Sequence, residues 1–389
     1  MSVIYVDNNA TTQIDPIVLE QMLPFLKDGY GNPSSMHTFG GNITSHINTA
    51  RGRVAALLGV SDSSEIIFTS CGTESDNAAI YSALAAFPDK RHIITSQVEH
   101  PAVKNVFDYY EEKGYRITRI SVNRKGRLNL DELKESIDDE TAIVSIMYAN
   151  NETGVIFPIE EIGSIVKEKG ALFHTDAVQA VGKIPLNMNK STVDMLSLSG
   201  HKLHAPKGVG ALYVRKGTPF HAFMIGGHQE HGRRGGTENV ASIIGLGKAC
   251  EIAAQYIDDE NTRVRIMRDK LEDAILSSVA HTFINGDRNE RLPNTSNISF
   301  EYIEGEAILL MLDKYGICAS SGSACTSGSL EPSHVMRAMG VPYTAAHGSI
   351  RFSLSRFNTD NDINFIIEKL PAIIEKLRNI SLFDEKKVY

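Results

Sequence analysis

A chain of 389 residues is longer than one ordinary hydrophobic core organises, and two domains are expected. The composition, 42% hydrophobic and 22% charged, is that of a globular protein. A net charge of −8 with no basic run excludes the electrostatic footprint of a nucleic-acid binder.

The opening MSVIYVDNNATT has neither a basic nor an apolar leader region, and no apolar run approaches the roughly 18 residues of a membrane span. A cytoplasmic protein that does not engage a membrane is therefore expected. From EIIFTS onward, short β-branched or aromatic runs alternate with helical patterns: HIITS, YRITRISV, AIVSIMYA, ALFHTDA, DMLSLS and VGALYV follow in turn. Between them lie ESDNAAIYSALAAF, PAVKNVFDYYEEKG and IEEIGSIVKEKG. The last carries Ile159, Ile162, Ile165 and Val166 near the helical period and stops at Gly170. Such alternation predicts an α/β fold with a mostly parallel, seven-stranded sheet covered by helices.

Two long helical patterns, 237–257 and 261–280, come next. NISFEY, EGEAILLMLDKYG, SIRFSLSRF and a helical tail then predict a smaller α+β domain. The expected division is a large unit of residues 15–258 and a small unit of residues 259–389 joined by 1–14.

The four cysteines form no C-x-x-C pair, and in a reducing compartment no disulfide framework is expected. Cys250 lies in an apolar helical run and Cys318 in a strand-like one, both structural positions. Cys71, beside Gly72, reads equally as structural or functional. Cys325 stands apart in SSGSACTSGS (320–329), a segment too small and polar to build a core, where a cysteine is expected to be exposed and mobile.

Four polar clusters fall at predicted strand ends, where open α/β sheets place their ligands. In FTSCGTESDNAAI, Gly72 and Thr73 open a helix whose N–H groups suit an anion, although Thr73 and Asp76 also have the spacing of a cap. In LFHTDAVQAVG, Asp176 either caps a helix or faces a cationic ring nitrogen, and Gln179 follows three residues later. In SLSGHKLHAPKGVGALYV, Ser199, His201 and Lys202 close a strand; Lys202 is a candidate Schiff-base amine against the alternative of a solvated loop lysine. His201 with His204, and His228 with His231, lack a carboxylate or cysteine at ligand spacing, so no intrinsic metal site is expected. In SQVEHPAV, His100 precedes a proline at a first helical position and reads as structural or catalytic. Asn151 follows another strand, and Arg351 is a natural clamp for a carboxylate.

Pyridoxal 5'-phosphate would use all of these groups. Its phosphate needs Gly72, Thr73, Ser199 and His201, and its aldehyde needs Lys202. Its ring nitrogen needs Asp176, its phenolic oxygen needs Gln179, and its ring face needs His100. An amino-acid substrate would add a carboxylate for Arg351 and Asn151.

VDNNATT, GNPSSMHTFG, FTSCGTESDNA, EHPAV, ANNETG, HTDAVQAVGK, SLSGHKLHAPKGVGALYVR, RRGGTENV and SSGSACTSGSLEPSHVMRAMG together resemble the cysteine desulfurases. These are fold-type-I pyridoxal-phosphate enzymes of the class-V aminotransferase family, and the last segment is most similar to the NifS type. The chain departs at HQEHGRRGG, where an arginine is expected in place of His231.

The resemblance implies a homodimer that converts L-cysteine to L-alanine. It implies catalytic roles for Lys202, His100 and Cys325, with Cys325 receiving the sulfur as a persulfide and His100 accepting its proton. It also implies cofactor contacts from Gly72, Thr73, His100, Asn151, Asp176, Gln179, Ser199, His201 and Lys202, and from Thr237 on the neighbouring subunit's phosphate. Sulfur would pass to a NifU-type scaffold for iron–sulfur assembly or nitrogen fixation, with Cys325 a candidate transient ligand of an iron–sulfur cluster.

The alternatives are a selenocysteine lyase, an aminotransferase of the same fold, or a non-catalytic iron–sulfur scaffold. An aminotransferase has no use for a mobile cysteine and would yield a keto acid. The scaffold lacks clustered cysteine spacing.

Overall fold

A computed structural model describes residues 3–321 and 331–381. Cys325 and its flanking small residues lie outside the described residues.

The predicted strands assemble into one seven-stranded sheet. Its order is Ile66–Thr69, Gly210–Val214, Met195–Ser199, Leu172–Asp176, Thr141–Ser145, His92–Ser96 and Arg116–Ile120. The last five run parallel, while Gly210–Val214 is antiparallel to both of its neighbours. Interior strands such as HIITS and TAIVS are short runs buried along their whole length, as a sheet covered on both faces requires.

Period-two alternation assigns the two faces. Ile66 and Phe68 join the larger core with the helices Thr38–Leu57, Ile159–Glu168 and Val240–Asp259. Ile67 points the other way and packs with Ile93, Ile143 and Phe107, beneath the helices Gly72–Ala86 and Pro101–Glu112.

A second sheet of four antiparallel strands, Ser320–Ser321, Ser349–Ser353, Thr295–Phe300 and Thr282–Ile284, has its own core. The helices Arg265–Ser278 and Asp360–Ile380 cover it. The latter opens with a reciprocal capping box between Thr359 and Asp362, which satisfies two N–H groups that helix formation leaves without partners.

The N-terminal segment joins the two cores. Ile4–Tyr5 pairs parallel with Ile317–Cys318, Asp7 bridges Ser353, and Thr12 N then donates to His201 O at the end of the large sheet.

Two separate helices were expected after residue 237. Val240–Asp259 instead continues through a π-turn, Glu260–Val264, directly into Arg265–Ser278. No glycine or proline lies between residues 258 and 266, so nothing in the chain forces a break. The boundary expected near residue 258 falls inside this helix.

By composition and length this helix could cross a membrane, a property masked in the sequence by Lys248 and Glu251 within its apolar pattern. Over half of its most apolar stretch is buried, with Gly245 and Gly247 admitting Met22 and Ala50 from the helices Pro16–Lys27 and Thr38–Leu57.

Candidate active site

The C-terminal ends of the parallel strands surround a cavity of about 300 Å³. His92–Ser96 leads to His100, Thr141–Ser145 to Asn151, Leu172–Asp176 to Asp176 and Gln179, and Met195–Ser199 to Ser199, His201 and Lys202. Gly72, Thr73 and Arg351 complete the set. Thr237 is not brought there. It lines a separate cleft with Phe68, Ser70 and Arg234.

The junction before Gly72–Ala86 resolves one alternative. Its N-cap is Cys71, whose Sγ accepts from Glu74 N at 3.5 Å, while Glu74 Oε2 accepts from Ser70 N at 2.7 Å. The cap expected of Thr73 and Asp76 is therefore supplied by Cys71 and Glu74, two residues earlier, and Thr73 and Asp76 line the cavity instead. A Cβ on Gly72 would come within 2.8 Å of Val178 Cγ2, so only glycine lets the helix start lie this close to the neighbouring loop.

Asp176 Oδ1 accepts from Val178 N at 2.9 Å, so its carboxyl both organises the following turn and faces the cavity. Burial raises its pKa, against the pull of the Val178 N–H and the Lys202 charge. Behind it Asp76 is 1% exposed, with His174 Nε2 3.6 Å from Oδ1 and Ser197 nearby but no hydrogen bond of ordinary length among the described residues. Burial first, and then the charge of Asp176, push Asp76 well above the ordinary carboxyl range. One negative charge across the pair is the arrangement a dry wall favours.

Lys202 Nζ donates to Asn9 O and Ala10 O, both at 2.6 Å. His201 Nδ1 lies 3.1 Å from Thr11 Oγ1, and burial with the adjacent Lys202 charge lowers its pKa to about 4. His204 turns away to the carbonyl of Gln13 and packs against Phe357.

His100 is the N-cap of Pro101–Glu112, with Nδ1 accepting from Ala102 N at 3.1 Å. Burial, Lys202 and His334 lower its pKa to about 4. A neutral ring that accepts at Nδ1 carries its hydrogen on Nε2. The proton-accepting role expected of His100 therefore meets a ring whose lone pair is already committed to the helix cap.

Arg351 is 2% exposed, donating from Nη2 to Asp7 Oδ1 at 2.7 Å and from Nη1 to Asn151 O at 3.0 Å. Its buried Nε has no hydrogen-bond partner among the described residues.

Comparison with known proteins gives the family. The family described as aminotransferase class-V matches residues 4–366. A protein named cysteine desulfurase from Nostoc sp. (strain PCC 7120) is 64% identical over 383 residues, covering 98% of this chain and 96% of that one. Cysteine desulfurase NifS of Azotobacter vinelandii is 58% identical over 381 residues, with 98% and 95% coverage. A solved structure named NifS-like protein superposes with a TM-score of 0.91 at 40% identity, covering 97% of this chain and all of that one.

The chain belongs to the class-V aminotransferases, among the NifS-like cysteine desulfurases.

Such an enzyme implies pyridoxal phosphate, and the residues present fit it. Ser199 Oγ is buried with no hydrogen-bond partner among the described residues, beside the N-terminus of a 15-residue helix, which suits a phosphate oxygen. An amine, a carboxylate and a flat imidazole stand on the walls between.

Several residues of this desulfurase site were not anticipated. Asn9 accepts from Lys202 and Gln179 through its carbonyl and donates through Nδ2 to Asn151 O and Thr295 Oγ1. His334 reaches in from beyond the cysteine segment to hold the Glu99 carbonyl at 2.8 Å. Only the asparagine pair after the short run IYV hinted at Asn9, since its partners lie 142 to 344 residues away.

Proposed function

We propose that this desulfurase removes sulfur from L-cysteine with pyridoxal phosphate held at Lys202, leaving L-alanine and a persulfide on Cys325. One observation carries the assignment of residues: Lys202, Asp176, Gln179, Ser199, His100 and Arg351, from four separate segments, line one cavity. When bound, the cofactor supplies an aldehyde for an amine and a ring that accommodates negative charge from the substrate Cα.

The chain's own groups do the rest. Gly72, Thr73, Ser199 and His201 hold the phosphate, Asp176 accepts from the ring nitrogen, and Gln179 donates to the phenolic oxygen. His100 covers the ring face and offers Nε2–H as a donor. Lys202 Nζ takes and returns the proton at the substrate Cα. Its seat on the carbonyls of Asn9 and Ala10 is where an ammonium is stabilised when the amine carries that proton. Arg351 presents Nε to the substrate carboxylate beside Asn151. The Cys325 thiolate bonds to the substrate sulfur as the carbon–sulfur bond breaks, and the departing carbon takes a proton.

The same reading extends to the assembly. Thr237 lies in its own cleft rather than in the cavity, which supports a homodimer in which it serves the partner subunit's phosphate. The smaller core draws on Ile4, Val6 and residues from Val264 onward, which supports a small unit of residues 259–389 with 1–14 beside a large unit of 15–258, although Leu292 and the stretch from Val335 to Ala346 pack into the larger core. Cys71, Cys250 and Cys318 are free thiols, which suits a reducing, cytoplasmic setting. The sulfur on Cys325 passes to a NifU-type scaffold for iron–sulfur assembly and nitrogen fixation, Cys325 serving transiently as a cluster ligand.

Quantifying alanine and protein-bound sulfane sulfur after adding L-cysteine to the loaded protein tests the reaction. Equal amounts are expected, and a keto acid in place of alanine refutes it.

A further inference from the structure

Lys183 is a lysine with almost no access to water. It is 7% exposed, and burial pulls its pKa down against the opposing pull of the Glu260 charge, while Lys202 and Arg351 add repulsion. Its Nζ donates to Gln179 Oε1 at 3.0 Å and to Asn9 Oδ1 at 3.3 Å. Gln179 Nε2 in turn donates to Asn9 O at 3.0 Å.

An amide side chain has two ends of nearly equal size, and which end points where is decided by its partners. An ammonium has donors only and can bind only Oε1. A backbone carbonyl accepts only and can bind only Nε2. Both partners of Gln179 therefore dictate the same orientation. One hydrogen of Nε2 is used by Asn9, and the second is left for the cavity that Gln179 lines.

We propose that Lys183 is the positioning residue that locks the Gln179 amide with its N–H toward the ligand. The inference rests on the reading that this cavity takes pyridoxal phosphate with Gln179 at the phenolic oxygen. Lys183 touches no ligand itself. Its countercharge, Glu260, sits on the π-turn between the two long helices, and Asn261 of the same turn donates to Lys183 O at 2.8 Å. The amide orientation is thereby tied to the helix that links the two cores. Such π-turns recur at functional sites.

An N–H aimed at the phenolic oxygen draws charge from it and eases loss of the neighbouring proton, which lowers the pH at which the visible band of the loaded protein titrates. Without Lys183 only the Asn9 carbonyl holds the orientation, the amide turns its oxygen to the cavity in a larger share of molecules, and that midpoint rises.

The test is a pH titration of the visible absorbance of the pyridoxal-phosphate-loaded full chain. Lys183→Met alone takes from the buried Glu260 the first of the positive charges it faces, leaving Arg356 and Arg263, so it is compared with Lys183→Met/Glu260→Gln, which removes both charges and keeps the test valid if the single variant fails to fold. Lys183→Met/Glu260→Gln and Gln179→Leu should each raise the midpoint by about 0.5–1 pH unit, and the triple variant should go no further than Gln179→Leu.

A wild-type midpoint in Lys183→Met/Glu260→Gln, with Gln179→Leu shifted, overturns the positioning role and leaves the cofactor contact standing. Full additivity overturns it equally. An unmoved Gln179→Leu overturns the contact itself and this inference with it.

Discussion

Arg351 holds Asp7 at 2.7 Å through Nη2 while its buried Nε meets no partner among the described residues, so the residue offered to a substrate carboxylate is already half neutralised by the chain's own acid. Asp7 belongs to the N-terminal segment and Arg351 to the small sheet, and the pair fixes the guanidinium at the junction of the two.

That arrangement separates two substitutions. Arg351→Ala should raise the KM for L-cysteine by roughly 10- to 150-fold, the equivalent of about 1.5–3 kcal/mol for a lost hydrogen bond to a charged group. Asp7→Asn keeps the shape and removes a competing charge, so the KM should fall by about threefold. Steady-state kinetics with cysteine decides both; a rise in KM for Asp7→Asn would show that Asp7 aims Arg351 more than it neutralises it.

His100 makes a second case. Asparagine caps helices well, so His100→Asn should keep Pro101–Glu112 intact while losing the ring face and Nε2–H. Turnover should fall by on the order of 10²-fold, the scale of a lost acid–base or stacking contribution. The pH–rate profile above about pH 6 should keep its midpoint, because His100 stays neutral there, its pKa lowered to about 4 by burial, Lys202 and His334. A shifted midpoint would restore the role of proton acceptor.

A third prediction concerns stability alone. Glu99 is 1% exposed, accepting from Ser96 Oγ at 2.5 Å and from Met147 N at 3.1 Å through Oε1. Burial raises its pKa to about 8 despite those donors, with the Asp176 charge adding to the rise. The unfolded chain releases the same proton near pH 4.3. Between these values the folded state binds more protons, so this contribution to stability is fully present below about pH 4.3 and is lost as pH rises through about 8. Denaturant titrations of wild type and Glu99→Gln should show the variant gaining relative stability from pH 6 to about 8.5, and a constant difference would mean that Glu99 is ionised throughout.

A fourth concerns the segment before Thr237. Glu230 binds Arg51 through both oxygens, at 2.6 and 2.7 Å, and also accepts from Phe68 N at 3.0 Å, all in the protein interior. Glu230 and His231 adopt positive φ angles of 47° and 58° to make the turn. Glu230→Ala strands a buried guanidinium and should cost about 3–5 kcal/mol in urea unfolding. A loss below about 1 kcal/mol would show that water reaches Arg51.

Much of this architecture is legible in the sequence because its signals are local. Asp176, Ser199, Lys202 and His100 each end or closely follow a short buried strand, and the C-terminal ends of such strands are where an open α/β sheet places its cavity. What stayed hidden depends on distant partners. Asn9 gains its meaning from residues up to 344 positions away. Lys183 in QAVGK has the look of a surface lysine until Gln179 and Asn9 are seen around it. Cys71 went unrecognised as a cap because sulfur is a weak acceptor, and only the tight turn after Thr69 brings it to Glu74 N. His231, where an arginine was expected, folds into a left-handed turn beside the Arg51–Glu230 pair.

Everything said of sulfur depends on which amine carries the cofactor, and two buried or half-buried lysines, Lys202 and Lys183, stand near the cavity. Borohydride reduction of the pyridoxal-phosphate-loaded protein, followed by peptide mass spectrometry, reads that bond directly. The phosphopyridoxyl mass should appear on the peptide containing Lys202 and vanish in Lys202→Ala; its appearance on Lys183, or on no lysine, would contradict the account.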